Sequence, residues 1–179
     1  MVTVGNRHDF ETRILPHLDA AYNLARWLLR NDQNAEDAVQ EAAIRALRYF
    51  DRLREGEARP WFLGIVRNTC FTALERSRSG PDLVEFDEDG FQSMIDTVAG
   101  EGDNPESLLQ QRRTRQCIDA AIRALSPPLR EVLVLREFED LEYAEIARIA
   151  SVPIGTVMSR LARAREKLRT ALSSSMPGN

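Results

Sequence analysis

LEYAEIARIASVPIGTVMSRLARAREKLR, residues 141–169, is the stretch whose reading decides the fold. Tyr143 to Ala150 form one short helix, with Ala144, Ile146, Ala147 and Ile149 on its apolar side. Ser151-Val152-Pro153 ends it, because proline lacks an amide hydrogen and suits the first turn of a new helix. Beyond it, Val157, Leu161, Ala164 and Leu168 recur at steps of four, three and four, which is one helix face. Thr156, Ser159, Ala162 and Arg163 fall roughly opposite that stripe. A helix packed by one side that shows small, hydroxyl and guanidinium groups on the other fits a major groove. Arg160, Arg163, Arg165, Lys167 and Arg169 oppose a single acid, Glu166, and phosphate contacts need such an excess. The pattern by itself also describes an ordinary helical hairpin with a solvated face.

The whole-chain charge at first argues against nucleic acid, since 28 acids outnumber 24 bases for a net charge of −4. Its distribution reverses the reading. Nine of the acids lie in residues 82–106, which hold no Lys or Arg, so the rest of the chain carries 19 acids against 24 bases, a net of +5. Modestly basic folded parts flank an acidic strap. With 179 residues, 43% hydrophobic and 29% charged, the chain has the balance of a soluble globular protein. It has no apolar run of about 20 residues that would span a bilayer, and no apolar signal core at its start. A cytoplasmic protein without membrane insertion is expected. Cys70 and Cys117 lie on different predicted helices and are read as reduced, buried small hydrophobes. His8 and His17 have no ligand partners in sequence, so neither a metal nor another cofactor is expected.

The periodicity predicts an all-α architecture of two small helical bundles joined by an acidic flexible linker. Residues 1–79 make the first bundle, 80–107 the linker and 108–179 the second, which is the helix-turn-helix. In the first, Phe10, Ile14, Leu18, Ala21, Ala25 and Leu28 form one stripe ending near Asn31, read as a left-handed helix end. Asn34 is read as the cap of a second helix, with Glu36 and Asp37 in its first turn. Its inner face is Val39, Ala43, Ala46, Leu47 and Phe50. Asp51 to Arg59 read as a charged loop, and Pro60 as the opening of a third helix that buries Trp61, Ile65 and Leu74. Leu83, Val84, Phe86, Phe91, Met94 and Ile95 punctuate the linker as groups able to dock on a partner. Helices resume over 108–124, followed by one capped by Ser126 and opened by Pro127-Pro128.

Two runs together resemble a known family. AEDAVQEAAIRALRYFDRL (35–53) and RPWFLGIVRNTCFTALERSR (59–78) resemble region 2 of bacterial extracytoplasmic-function sigma factors. LSPPLREVLVLREFEDLEYAEIARIASVPIGTVMSRLARAREKL (125–168) resembles their region 4. The resemblance covers about residues 9–172 in the expected order. It implies a promoter-specificity subunit, not an enzyme, whose partners are bacterial core RNA polymerase, promoter DNA and an anti-sigma factor.

The resemblance also places roles on matching positions. It assigns polymerase-core binding to Asp37, Gln40 and Glu41, of which Asp37 and Glu41 share a face. It puts capture of the unwound −10 strand on the loop 51–59 and the helix after it, where Asn68 would bond a base edge and Arg67, Arg76 and Arg78 phosphates. Trp61 is read as core rather than as a stacking platform, and Gly64 departs from the polar or basic residue often seen there. Reading of the −35 duplex falls on Thr156, Met158, Ser159, Ala162 and Arg163. Met158 and Ala162 offer only apolar contact, as to a thymine methyl. Arg160 and Arg165 are assigned to phosphates, with pairing to acids of neighbouring helices as the alternative. Two rivals stand beside this reading: a dimeric helix-turn-helix regulator, and a sigma mimic that sequesters an anti-sigma protein. The relative orientation of the two bundles is left open by a free linker.

Overall fold

The computed structural model describes residues 4–79 and 104–175, and every regular element among them is helical. Residues 80–103, with most of the acidic strap, lie outside the described residues. Four helices come before that gap: α1 (Val4–Ile14), α2 (Leu18–Leu29), α3 (Asp32–Arg48) and α4 (Ala58–Ser79). Four follow it: α5 (Pro105–Arg123), α6 (Pro127–Glu137), α7 (Tyr143–Ala150) and α8 (Ile154–Ser175). No helix of the described residues is long and apolar enough to cross a membrane.

Local chemistry moves several predicted boundaries. The Phe10-to-Leu28 stripe is inward-facing, but it is divided at Leu15–His17, a 3-10 turn around Pro16. Proline in a helix interior removes a bond and clashes with the preceding turn. Asn31 is not the left-handed residue and Asn34 is not the cap. Arg30 takes the left-handed turn (φ 58°) and closes α2 with its N–H on the Arg26 carbonyl at 2.8 Å. Asn31 is then extended, and its Oδ1 accepts from the Asn34 N–H at 2.8 Å, capping α3. The charged loop is shorter than expected. A 3-10 turn occupies Phe50–Arg52, and α4 begins at Ala58, placing Pro60 in a first turn where its missing N–H leaves no bond unmade. The later helices resume at Pro105 because Asn104 caps them, accepting from Glu106 N–H at 3.4 Å. Ser126 stands at the N-cap of α6, yet its side chain makes no capping bond.

The helix-turn-helix forms over the residues expected for it. Ser151 takes a left-handed φ of 54°, and Val152 N–H returns to the Ala147 carbonyl at 3.1 Å. Glu142 and Glu145 build a reciprocal capping box at the start of α7, with the Glu142 N–H donating to Glu145 Oε2 at 3.0 Å. Ile146, Ile149, Val157, Leu161 and Ala164 are buried, so the two periodic stripes meet; Ala144 is exposed.

The two helical groups close on one another through a single core. α2 packs on α6 and α4 on α7, and Trp27 of α2 meets Phe138 with ring centroids 5.5 Å apart. Polar groups line the same seam. Glu139 accepts from Asn23 Nδ2 at 2.6 Å and pairs with Arg59 at 3.1 Å. Arg130 is buried at the junction, donating to the Arg123 carbonyl at 2.7 Å and the Leu28 carbonyl at 3.3 Å. One guanidinium thus serves the carbonyl ends of α5 and α2, where helix dipoles favour a cation. Burial, then the charges of Arg30 and Arg123, push Arg130 down to about 10, which leaves it protonated at neutral pH. Arg130→Met is expected to lower stability by about 2–3 kcal/mol, because both carbonyls lose a charged donor. Urea unfolding followed by circular dichroism measures it, and a loss below about 0.5 kcal/mol would show that the junction does not depend on this residue.

Candidate polymerase and nucleic-acid interfaces

α3 buries Ala35, Ala38, Val39, Ala42 and Ala46, which turns the opposite side to solvent. Asp37, Gln40 and Glu41 are all exposed on that side and close to one another along the helix. Gln33 Nε2 donates to Asp37 Oδ1 at 3.3 Å, and Glu41 pairs with Arg45 one turn on. Ile44, 62% exposed, extends the patch by a turn. The sequence reading passed over Ile44, although its position off the alanine stripe was the available signal. The result is an acidic and amide surface with an apolar end at Ile44, suited to a basic and apolar partner groove.

α8 presents a different surface. Met158 (53% exposed), Ser159, Ala162 and Arg163 face solvent, while Thr156 is half-buried. Ser159 Oγ donates to the Thr156 carbonyl at 3.0 Å, which holds the hydroxyl near the helix start. Ile154, exposed one turn before Met158, adds apolar surface that the sequence reading did not include. Arg165 donates to Glu137 of α6 from Nη2 at 2.7 Å and Nε at 3.2 Å. Its hydrogen bond to Glu137, then that to Tyr143, hold its proton more tightly than usual. Arg160 is half-buried with Nη1 4.0 Å from Glu131. Both arginines therefore take the pairing that stood as the alternative to phosphate contact. Arg163 stands exposed among the base-reading positions.

α4 carries the remaining candidates. Asn68, Arg76 and Arg78 are exposed, the two arginines in the last turns of the helix. Arg67 faces the seam. Its Nε donates to Glu131 Oε1 at 2.6 Å, its Nη1 to Asn68 Oδ1 at 3.2 Å, and its guanidinium lies 4.0 Å from the Phe71 ring centroid. A cleft of about 270 Å³ lies beside the contact of α4 with α7, lined in part by Trp61, Gly64, Asn68 and Arg148. Trp61 packs partly against the core, in keeping with its structural reading. Cys70 is buried, and burial, with the charge of Glu131 adding to it, pushes the thiol up to about 12, so it stays protonated. Cys117 is also a free thiol, half-buried.

These surfaces coincide with known sequence regions. Residues 14–80 match the family model for Sigma-70 region 2, and residues 115–168 that for Sigma-70 region 4. The RNA polymerase sigma-H factor of Pseudomonas aeruginosa is 32% identical over 170 residues, covering 94% of this chain and 88% of the relative. The ECF RNA polymerase sigma-E factor of Escherichia coli K12 is 37% identical over 136 residues, covering 74% and 70%. The chain belongs to the ECF RNA polymerase sigma factors. A further relative, SigE of Mycolicibacterium smegmatis, is 34% identical over 92% of this sigma factor, which spans 62% of that protein's length. Among solved structures, the sigma factor RpoE in complex with the anti-sigma factor NepR from Bartonella quintana matches with a TM-score of 0.67 at 26% identity, over 92% of this sigma factor and 97% of that chain. CnrH in complex with the cytosolic domain of CnrY matches in fold with a TM-score of 0.65 at 21% identity, over 96% and 92%.

Proposed function

We propose that this sigma factor directs core RNA polymerase in the cytoplasm to particular promoters, and that it carries no chemistry of its own. The observation that carries the reading is the ordered pair of region 2 and region 4 matches, each with an exposed face of fitting chemistry. Asp37, Gln40 and Glu41 on α3, joined by Ile44, bind the polymerase core. Met158, Ser159, Ala162 and Arg163 read the −35 duplex, and Arg160 and Arg165 position α8 through α6 rather than through phosphate. Asn68, Arg76 and Arg78 hold the melted −10 strand, whose unstacked bases make the open state favourable. Arg67 joins them once it leaves Glu131. The Bartonella quintana relative was solved with an anti-sigma factor, and a partner of that kind regulates this chain as well.

Transcription reconstituted with bacterial core polymerase and a pool of genomic promoter fragments tests the reading. New start sites that depend on the protein are expected. Duplex binding by the protein alone, with no initiation, would favour an ordinary helix-turn-helix regulator; failure of both would favour a sigma mimic. On a promoter so identified, Arg163→Ala is expected to cost about 1–3 kcal/mol of recognition, roughly 5- to 150-fold in open-complex affinity. If Arg163 reads a base, the loss is confined to one position of the −35 element; a uniform loss with a shallower salt dependence would instead make it a phosphate contact.

A further inference from the structure

The first turns of α8 leave large apolar side chains in water. Ile154 is 46% exposed and Met158 53%, and Ala162 is exposed one turn further on. Steps of four residues advance about 6 Å and rotate about 40°, so the three side chains form one stripe about 12 Å long. That length matches the rise of about three to four base pairs. Nothing covers the start of the stripe: Gly155 is exposed, and a Cβ built on it meets no atom within 4 Å.

Hydrogen-bond donors are scarce on the same helix. Ser159 gives its one hydroxyl proton to the Thr156 carbonyl at 3.0 Å, which leaves its oxygen as an acceptor. Arg165 is held by Glu137 at 2.7 Å, and Arg160 lies 4.0 Å from buried Glu131. Arg163 keeps an exposed guanidinium. A recognition helix reads bases by hydrogen bonds or by apolar contact, and the apolar group on a major-groove base edge is the thymine 5-methyl. The exposed cations Arg163 and Lys167 flanking the stripe suit phosphate better than an apolar groove of another protein.

We propose that α8 reads its duplex chiefly through thymine methyl groups. Ile154, Met158 and Ala162 pack on the 5-methyls of two or three thymines within about four base pairs, and Arg163 supplies the hydrogen-bonded position beside them. The proposal rests on the −35 reading above and adds Ile154 as a specificity-determining residue. Each buried methyl is worth about fourfold in affinity, and separate contacts multiply to roughly 15- to 60-fold.

The full chain, free and as holoenzyme with purified core polymerase, is used to select from a randomised duplex pool. The pool is copied with thymidine or with deoxyuridine triphosphate, which keeps every Watson–Crick hydrogen bond and deletes only the methyl. The thymidine pool is expected to yield a motif with clustered thymines, and the deoxyuridine pool to lose the preference at those positions. On the selected duplex, fluorescence anisotropy should show about a fourfold loss for each thymine replaced by uracil. Ile154→Ser and Met158→Ser should each flatten that ratio to near one, at different positions. Both residues are exposed, so the helical circular dichroism should match the parent's. A thymine preference that survives in the deoxyuridine pool, or a motif without clustered thymines, overturns the proposal. So does a thymine-to-uracil ratio that neither substitution changes, which would leave the stripe to a protein partner. Selection of no motif by either form overturns it as well. A methyl-dependent motif selected by the free chain without promoter-directed initiation would overturn the sigma reading and leave methyl reading in place.

Discussion

Trp27→Ala is expected to lower the unfolding free energy by about 3–5 kcal/mol, the range for deleting a buried aromatic. The indole is 1% exposed and touches Phe138 across the α2–α6 seam, so its removal leaves a void that belongs to both helical groups. The surrounding side chains, among them Leu24 and Leu28, are fully buried and have little room to collapse into it. For a chain of this size each kcal/mol moves the midpoint by about 2–4 °C, so thermal melting should fall by roughly 6–20 °C. Phe138→Ala is a useful contrast. That ring is 38% exposed at the rim, and about 1 kcal/mol is expected. Equal losses at the two positions, or a loss below about 1 kcal/mol for Trp27, would mean that the seam is not part of the cooperative core in solution.

Reversing the charge of the α3 patch should have the largest functional effect with the smallest structural one. The double substitution Asp37→Lys and Glu41→Lys is expected to weaken binding to core polymerase by about 2–4 kcal/mol, roughly 30- to 700-fold. Both side chains are exposed, so the fold should tolerate the change. The helix loses the Glu41–Arg45 pair, a matter of about 0.3–0.5 kcal/mol. Fluorescence anisotropy with labelled protein and purified core enzyme measures the affinity, and circular dichroism checks the helices. Ile44→Ala should add a further loss if the apolar end of the patch is seated in the partner. Affinity within twofold of the parent for the double variant would remove α3 from the polymerase interface.

How far the sequence could be read depends on the range of the forces involved. The helices α7 and α8 were legible almost to the residue, because burial of one face imposes a period of 3.6 and Pro153 marks the break between them. The polar set on the outer face of α8 was legible for the same reason. Boundaries were less so where two neighbouring residues compete for one role. Arg30 and Asn31 share the α2–α3 turn, and only the backbone geometry shows that the arginine takes the left-handed position and the asparagine the cap. Pro16 was visible in the sequence, but the apolar stripe running across it masked the turn it imposes.

By itself the sequence determined the all-α class, the helix-turn-helix, the family resemblance and the outward set on α3, since each follows from contacts within a few residues of chain or from a local motif. Only the tertiary structure decided how the two helical groups meet. It turned Arg67 and Arg160 toward Glu131, gave Arg165 to Glu137, and brought α7 across Gly64. The physical reason is that a charged residue on an amphipathic helix looks the same in sequence whether its partner is water, phosphate or a buried carboxylate 64 residues away. Desolvation selects among these, and it is a property of the assembled seam rather than of any segment that forms it.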